Sequence, residues 1–378
     1  MASTATPTNL DHLRVDIVGS FLRPSALKAA FEKHAAGTLD DAGLKAAQDA
    51  AIRDLIAAEE AHGLPIVSDG EFRRRSFMQS FAVVAGMEAW YAAISRPASA
   101  RPADPNEPKR ELGNEVRSAV SQKLKLTSNA VLDEYTYVAG IAKQPAKVTL
   151  IGPDRISQRY NSEASTAVYP DADAFVDDVV KIEQQMVREL RDAGCRYVHI
   201  DAPGYTAYVD ENTLAEMRSR GEDPMRNFER SMRADNAIVD MFPGTTFGVH
   251  LCRGNSASRF HRKGSYDAIA ERLFNTLSHQ RFLLEYDDER SGGFEPLRFV
   301  PKGKVVVLGL ISSKWPRLES VDEIRSRIDE AAKYIPLEQL ALSPQCGFSS
   351  GLDGNLISDD DQWQKIDRMM EVAHQVWG

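Results

Sequence analysis

The chain is poor in cysteine, with three residues, Cys195, Cys252 and Cys346, among 378. So odd and sparse a count excludes the disulfide framework of a small secreted domain and leaves free thiols. Long apolar runs are also missing, and without about 20 consecutive apolar residues no helix spans a bilayer. The opening stretch MASTATPTNLDHLRVD has neither the basic nor the apolar region of a signal peptide, so the expected location is the cytoplasm. There is no excess of positive charge: the formal net charge is -9, which argues against nucleic acid or an anionic membrane as a partner. No G-x-G-x-x-G turn follows the first apolar run, where VGSFLRP offers one glycine and a proline. An open dinucleotide-binding sheet is disfavoured accordingly.

What is present is a rhythm. Short β-branched runs, RVDIV, LPIVSD, AKVTLI, RYVHID, TTFGVHLC, QRFLLEY, KVVVLGLI and QLALSPQC, alternate with amphipathic helical patterns such as 44–61 and 173–193. The first of these helices is expected to stop at His62-Gly63. The alternation predicts an α/β fold with a parallel sheet, and eight runs in this length predict a (β/α)8 TIM barrel, one domain over residues 1–378. Residues from about 84 to 144 contain the proline-rich and charged ISRPASARPADPNEPKRELG. They read as an insertion after the second strand, of the kind that forms lids. The first dozen residues are expected to fray.

A barrel gathers the carboxyl ends of its strands on one rim, where active sites sit. The polar residues expected there are Asp69 and Glu71, Asp201, His250 and Cys252, Glu285, and Cys346. On a strand, His250 and Cys252 point the same way. With Cys346 and Glu285 they make two sulfurs, one nitrogen and one oxygen, a tetrahedral set suited to zinc rather than magnesium or calcium. The alternative for Glu285 is a salt bridge to Arg290 or Arg298. Asp287, Asp288 and Arg290 either hold the ligand loop in place or form a solvated turn. Cys195 precedes its strand and is expected to be structural.

The motifs DIVGSFLRP, SDGEFRR, HLC, FLLEYD and LSPQCGF, in this order, resemble the catalytic domain of cobalamin-independent methionine synthase. The closer resemblance is to the short, single-domain members of that superfamily, which include the epoxyalkane:coenzyme M transferase. The resemblance implies Zn2+ held by His250, Cys252, Glu285 and Cys346, and a thiol substrate alkylated as a zinc-bound thiolate. It further implies an amino-acid thiol gripped by Val18, Ser20, Glu71 and Asp201, with Glu71 and Asp201 in the catalytic set. The leading expectation is methyl transfer from methyl-folate or another methyl donor to homocysteine.

The donor side departs from the family pattern. The turn after the third strand reads IGPDRISQRYN, with Arg159 near the place of the family's pterin-stacking tryptophan and Tyr160 beside it. Either is expected to contact the donor. Arg73 to Arg75 offer a basic cluster for an anionic tail or a sulfonate, and Arg253 and Asn255 are candidates to face substrate. Trp90 and Trp315 are expected to line the pocket, whereas Trp363 and Trp377 pack. Opening of an epoxide by coenzyme M remains an alternative, as do a metal-storage protein and a metal-free decarboxylase on a related barrel. The expected partners are a small thiol and an alkyl donor, with the oligomeric state open.

Overall fold

The computed structural model describes residues 10, 13–82, 84–94 and 117–378. Much of the proline-rich stretch of the expected insertion, and most of the first dozen residues, lie outside the described residues. A short antiparallel pair, β1 (Val84–Ala85) and β2 (Lys125–Leu126), flanks that gap.

The main sheet is parallel throughout and runs in chain order: β3 (Val148–Ile151), β4 (Tyr197–Asp201), β5 (Thr246–Leu251), β6 (Arg281–Glu285), β7 (Val305–Ile311) and β8 (Leu340–Pro344). Three isolated parallel bridges, Val15 to Leu342, Ser20 to Gly70 and Val67 to Ala146, carry the pairing from β8 back to the start of β3. This is the expected α/β barrel class with one correction. The first two expected strands are extended segments that pair only at single points, so six regular strands stand where eight were expected.

The cause is local chemistry. Asp16 turns its carboxylate onto the amide of Ile17 (2.9 Å), diverting a donor from the ladder. Gly19 has φ 141°, and a Cβ there would lie 2.5 Å from the methyl of Thr149. Gly70 and Glu71, with φ 66° and 59°, turn the second segment away from regular pairing.

Helices cover the sheet where capping and pattern agree. The helix Asp41–Ala61 starts on Asp40, whose side chain accepts from Gly43 N, and buries Ile52, Leu55 and Ile56. It ends at His62, with Gly63 at φ 77° beyond it. Ala172–Asp192 begins on the cap Asp171 and buries an unbroken stripe from Phe175 to Leu190. Helix Ala130–Ala139, inside the expected insertion, packs against both of these and against β3, in the outer layer. Trp363 stacks on Phe21 and on His62, and Trp377 donates to Leu337 O, so both pack as expected. Trp90 is buried in the helix Glu88–Ile94. No helix among the described residues is long and apolar enough to cross a membrane.

Inside the ring, Val18, Leu283, Val307 and Ala341 form a small apolar cluster. At the amino-terminal end of the strands, Asp16 binds Lys147 Nζ (2.8 Å), Arg281 Nε (3.0 Å) and Tyr197 OH (2.7 Å), all fully buried.

Candidate metal and substrate site

The carboxyl ends of the strands carry the other polar cluster. His250 and Cys252 sit at and just beyond the end of β5, on one side of the strand. Cys346 comes from the turn after β8, where the register of β7 with β8 shifts between Gly309 and Ile311. Gly309 permits this: a Cβ there would lie 2.8 Å from Gln345 Cα. The ligand atoms of His250, Cys252 and Cys346 lie within 4.8 Å of one another, all buried. The two sulfurs are 3.9 Å apart. Two cysteinates on one tetrahedral zinc, each about 2.3 Å from it, stand roughly 3.8 Å apart, so this spacing fits a shared ion.

Asp201, paired with His250 in the ladder, meets His250 Nδ1 at 2.8 Å. His250 Nε2 faces the Gln345 carbonyl at 3.1 Å. A carboxylate on one ring nitrogen orients the ring and leaves the other for a metal. Burial opposes charge on the imidazole, but Cys252 and Asp201 outweigh it and push His250 up to about 9. The Cys252 thiol is pushed well above its usual value, first by its hydrogen bond with Cys346 and then by burial. A divalent cation between the sulfurs would reverse that tendency.

Glu285, expected as the fourth ligand, lies outside this group of three. Its Oε2 accepts from Arg253 N (2.5 Å), and its Oε1 faces Arg290 (3.5 Å) and Lys314 Nζ (3.7 Å). Burial works to raise its pKa, but Lys314, Arg253 and Arg290 together hold it below the ordinary carboxylate value. Of the two arginines expected as salt-bridge partners, Arg290 is there, while Arg298 pairs with Asp267. The side chain of Asp287 is 2% exposed and accepts from Ser312 Oγ (2.8 Å), so at this residue the segment after β6 is not a solvated turn.

The expected substrate residues divide. Glu71 holds the left-handed conformation, uncommon for a residue with a side chain and a recurrent feature of functional sites. Its Oε1 accepts from Thr149 Oγ1 (2.7 Å), while its buried Oε2 has no hydrogen-bond partner. Burial raises its pKa against Arg74, and Asp201 adds to the rise. Ser20 abuts the turn that bears Cys346: Ser20 O accepts from Phe348 N, and a Cβ on Gly347 would lie 1.9 Å from Ser20 Oγ. Val18, by contrast, belongs to the apolar interior.

On the donor side, Tyr160 is not brought to the cluster. It stacks on Phe175 of the helix Ala172–Asp192 at 4.2 Å, and the amide of its neighbour Asn161 donates to Ser118 O. Arg159 is half-buried and its carbonyl accepts from Ser118 N (2.8 Å). The run Arg73 to Arg75 is not an open basic cluster either. Arg73 pairs with Asp49, Arg74 is buried against Glu71, Glu134 and Thr149, and Arg75 lies over Phe31. Arg253 donates to Gly264 O, Tyr266 OH and Glu285 O, and Asn255 to Ser313 Oγ and Gly347 O. Both therefore brace loops. Cys195 is buried before β4, and burial pushes its thiol up to about 12.

Residues 14–374 match the family model described as the catalytic domain of cobalamin-independent synthase. The chain belongs to that family. The protein YxjH of Bacillus subtilis is 33% identical over 369 residues, covering 96% of this chain and 94% of that one. A methionine synthase of Pyrococcus abyssi is 26% identical over 367 residues, covering 96% and 92%. A solved structure from Listeria monocytogenes, assigned as a vitamin-B12-independent methionine synthase, superposes with a TM-score of 0.73 at 25% identity, covering 97% and 98%. The family match and the superposition thus both run over nearly the full length of this chain.

Three residues of the site have no place in the sequence reading: Thr149, Arg74 as a partner of Glu71, and Lys314. Lys314 had a signal: it follows the seventh expected strand, at the same carboxyl rim as the other polar residues.

Proposed function

We propose that the chain is a zinc-dependent methyltransferase that alkylates a thiol, with homocysteine as acceptor and methyl-folate or another methyl donor, giving methionine. The observation that carries this reading is the convergence of His250, Cys252 and Cys346 at one rim, with both sulfurs 3.9 Å apart. Two sulfurs and an imidazole are a soft set that suits zinc better than magnesium or calcium. Relatives named as methionine synthases, such as that of Pyrococcus abyssi, support the choice of methyl transfer.

Zinc, when bound, supplies the charge that keeps a thiol deprotonated near neutral pH. The chain's own residues do the rest. Asp201 orients the imidazole of His250. Thr149 and Arg74 fix one oxygen of Glu71 and leave the other for an ammonium group. The substrate sulfur displaces the donor heteroatom from the methyl carbon, and that heteroatom keeps the bonding pair and takes up a proton. Holding carbon and sulfur in line lowers the barrier.

The arginines at 73–75 are engaged within the protein, so a coenzyme M sulfonate loses the cluster that favoured it. The acidic pair Glu71 and Asp201 favours an amino acid. A metabolic role in the cytoplasm goes with this reading.

Metal analysis and thiol profiling test it. Purified protein is expected to carry about one zinc per chain, lost on Cys252→Ser or Cys346→Ser. Zinc-loaded protein is expected to release a proton on meeting homocysteine but not coenzyme M, and the bound homocysteine is then expected to take a methyl group from methyl-folate or methylcobalamin. Protein that takes up no zinc, or that answers only to coenzyme M, sinks the proposal.

A further inference from the structure

The turn after β7 places a cation beside the metal cluster. Lys314 is fully buried, and its Nζ lies 3.7 Å from Glu285 Oε1. Every residue of this turn is anchored. Ser312 N donates to Glu319 Oε1 (2.9 Å) and Ser312 Oγ to Asp287 Oδ2 (2.8 Å). Ser313 O accepts from Asn355 Nδ2 (2.9 Å), and Lys314 O accepts from Ser258 Oγ (2.7 Å). Ser258 itself holds a left-handed φ of 67° to make that contact. The turn that carries the ammonium is thus fixed by three backbone hydrogen bonds and one from a side chain, independently of any attraction to Glu285.

Apart from Arg290 Nη1, which pairs with Asp288, the charged groups around it do not close on one another. Lys314 Nζ, Glu285 Oε1, Asp287 Oδ1 and two Arg290 nitrogens, Nε and Nη2, are all buried and without a hydrogen bond. Arg290 stands 3.5 Å from both Glu285 and Asp287. Charge-assisted hydrogen bonds between such groups close to about 2.7–2.9 Å, so these contacts are Coulombic only. The second oxygen of Glu285 is tied by the amide of Arg253. The carboxylate is therefore held at one oxygen, balanced by two cations, and left with the lone pairs of Oε1 unspent. A purely structural salt bridge would have used them.

We propose that Lys314 is a positioning residue: with Arg290 it holds Glu285 so that Oε1 stays unbonded and completes the metal set begun by His250, Cys252 and Cys346. This rests on the metal reading above.

The test compares zinc-loaded wild type, Lys314→Met, Lys314→Arg, Glu285→Gln and the double variant Lys314→Met with Glu285→Gln. Zinc affinity is read by competition with a chromophoric chelator, and the metal shell by X-ray absorption, without added thiol. Lys314→Met is expected to lose the oxygen scatterer and bind zinc about tenfold more weakly, within the range seen when a ligand's partner is removed. Glu285→Gln should do the same, the double variant should be no weaker than Glu285→Gln alone, and Lys314→Arg should keep the oxygen. A Lys314→Met protein with an unchanged shell and affinity overturns the proposal, as does an equal loss with or without Glu285. Should circular dichroism show Lys314→Met unfolded, Lys314→Gln carries the same comparison. Wild type without zinc would instead defeat the metal reading itself.

Discussion

His250 Nδ1 lies 2.8 Å from Asp201 Oδ1, across neighbouring strands that pair in register at these two residues. The ladder thus sets the orientation of the imidazole before any ligand arrives.

Asp201→Asn removes the charge that fixes the ring. Zinc affinity is expected to fall by about 10–100-fold, with little change in the melting temperature of the metal-free protein. Chelator competition measures the first and calorimetry the second. Wild-type affinity in this variant would mean that Asp201 does not act through His250.

Glu71→Gln keeps the shape of the side chain and the bond from Thr149. It removes the charge offered to an ammonium group. A charged hydrogen bond is worth about 1.5–3 kcal/mol, so the KM for homocysteine should rise roughly 10–100-fold at constant zinc content. Loss of zinc along with KM would instead place Glu71 in the support of the metal.

Lys147→Met breaks the buried cluster at the opposite end of the strands. Asp16 would keep Arg281 and Tyr197 but lose a cation 2.8 Å away. The expected cost is about 3–5 kcal/mol, read from urea unfolding, with part of it recovered in Asp16→Asn with Lys147→Met. Zinc content of the folded fraction should not change.

Asp235 provides a pH dependence away from the metal site. Burial pushes it up to about 8, against the hydrogen bond from Tyr205 OH and with a further rise from Asp154. Glu183, beside it, is raised by burial and by Asp235, and neither of its oxygens has a hydrogen-bond partner. The unfolded carboxyl titrates near about 3.9, so the folded chain holds a proton that the unfolded chain gives up. The stabilisation is complete below about pH 4 and is lost as pH rises through about 8. The urea midpoint of wild type relative to Asp235→Asn should therefore fall between pH 5 and pH 8.5. A constant difference between the two would mean that Asp235 is not protonated in the fold.

Much of the fold was legible because it follows from short-range chemistry. Helix Asp41–Ala61 was readable from its apolar stripe and its His62-Gly63 stop, and β4 to β8 from continuous apolar runs, which a sheet buried on both faces requires. The segments at residues 13–20 and 64–70 carry similar runs, yet they pair only at single points. There the side chain of Asp16 and the conformations of Gly19, Gly70 and Glu71 override the pattern.

The order of residue types along the chain determined by itself that a histidine and two cysteines would stand at strand ends, since parallel strands in chain order put those ends on one rim. It could not determine which charged side chains were already spent. Whether Arg74 meets a substrate or Glu134, whether Tyr160 meets a donor or Phe175, and which cations surround Glu285 depend on contacts between residues far apart in the chain. Those contacts exist only once the layers pack, because burial makes each charged group find whatever partner the folded geometry brings within reach.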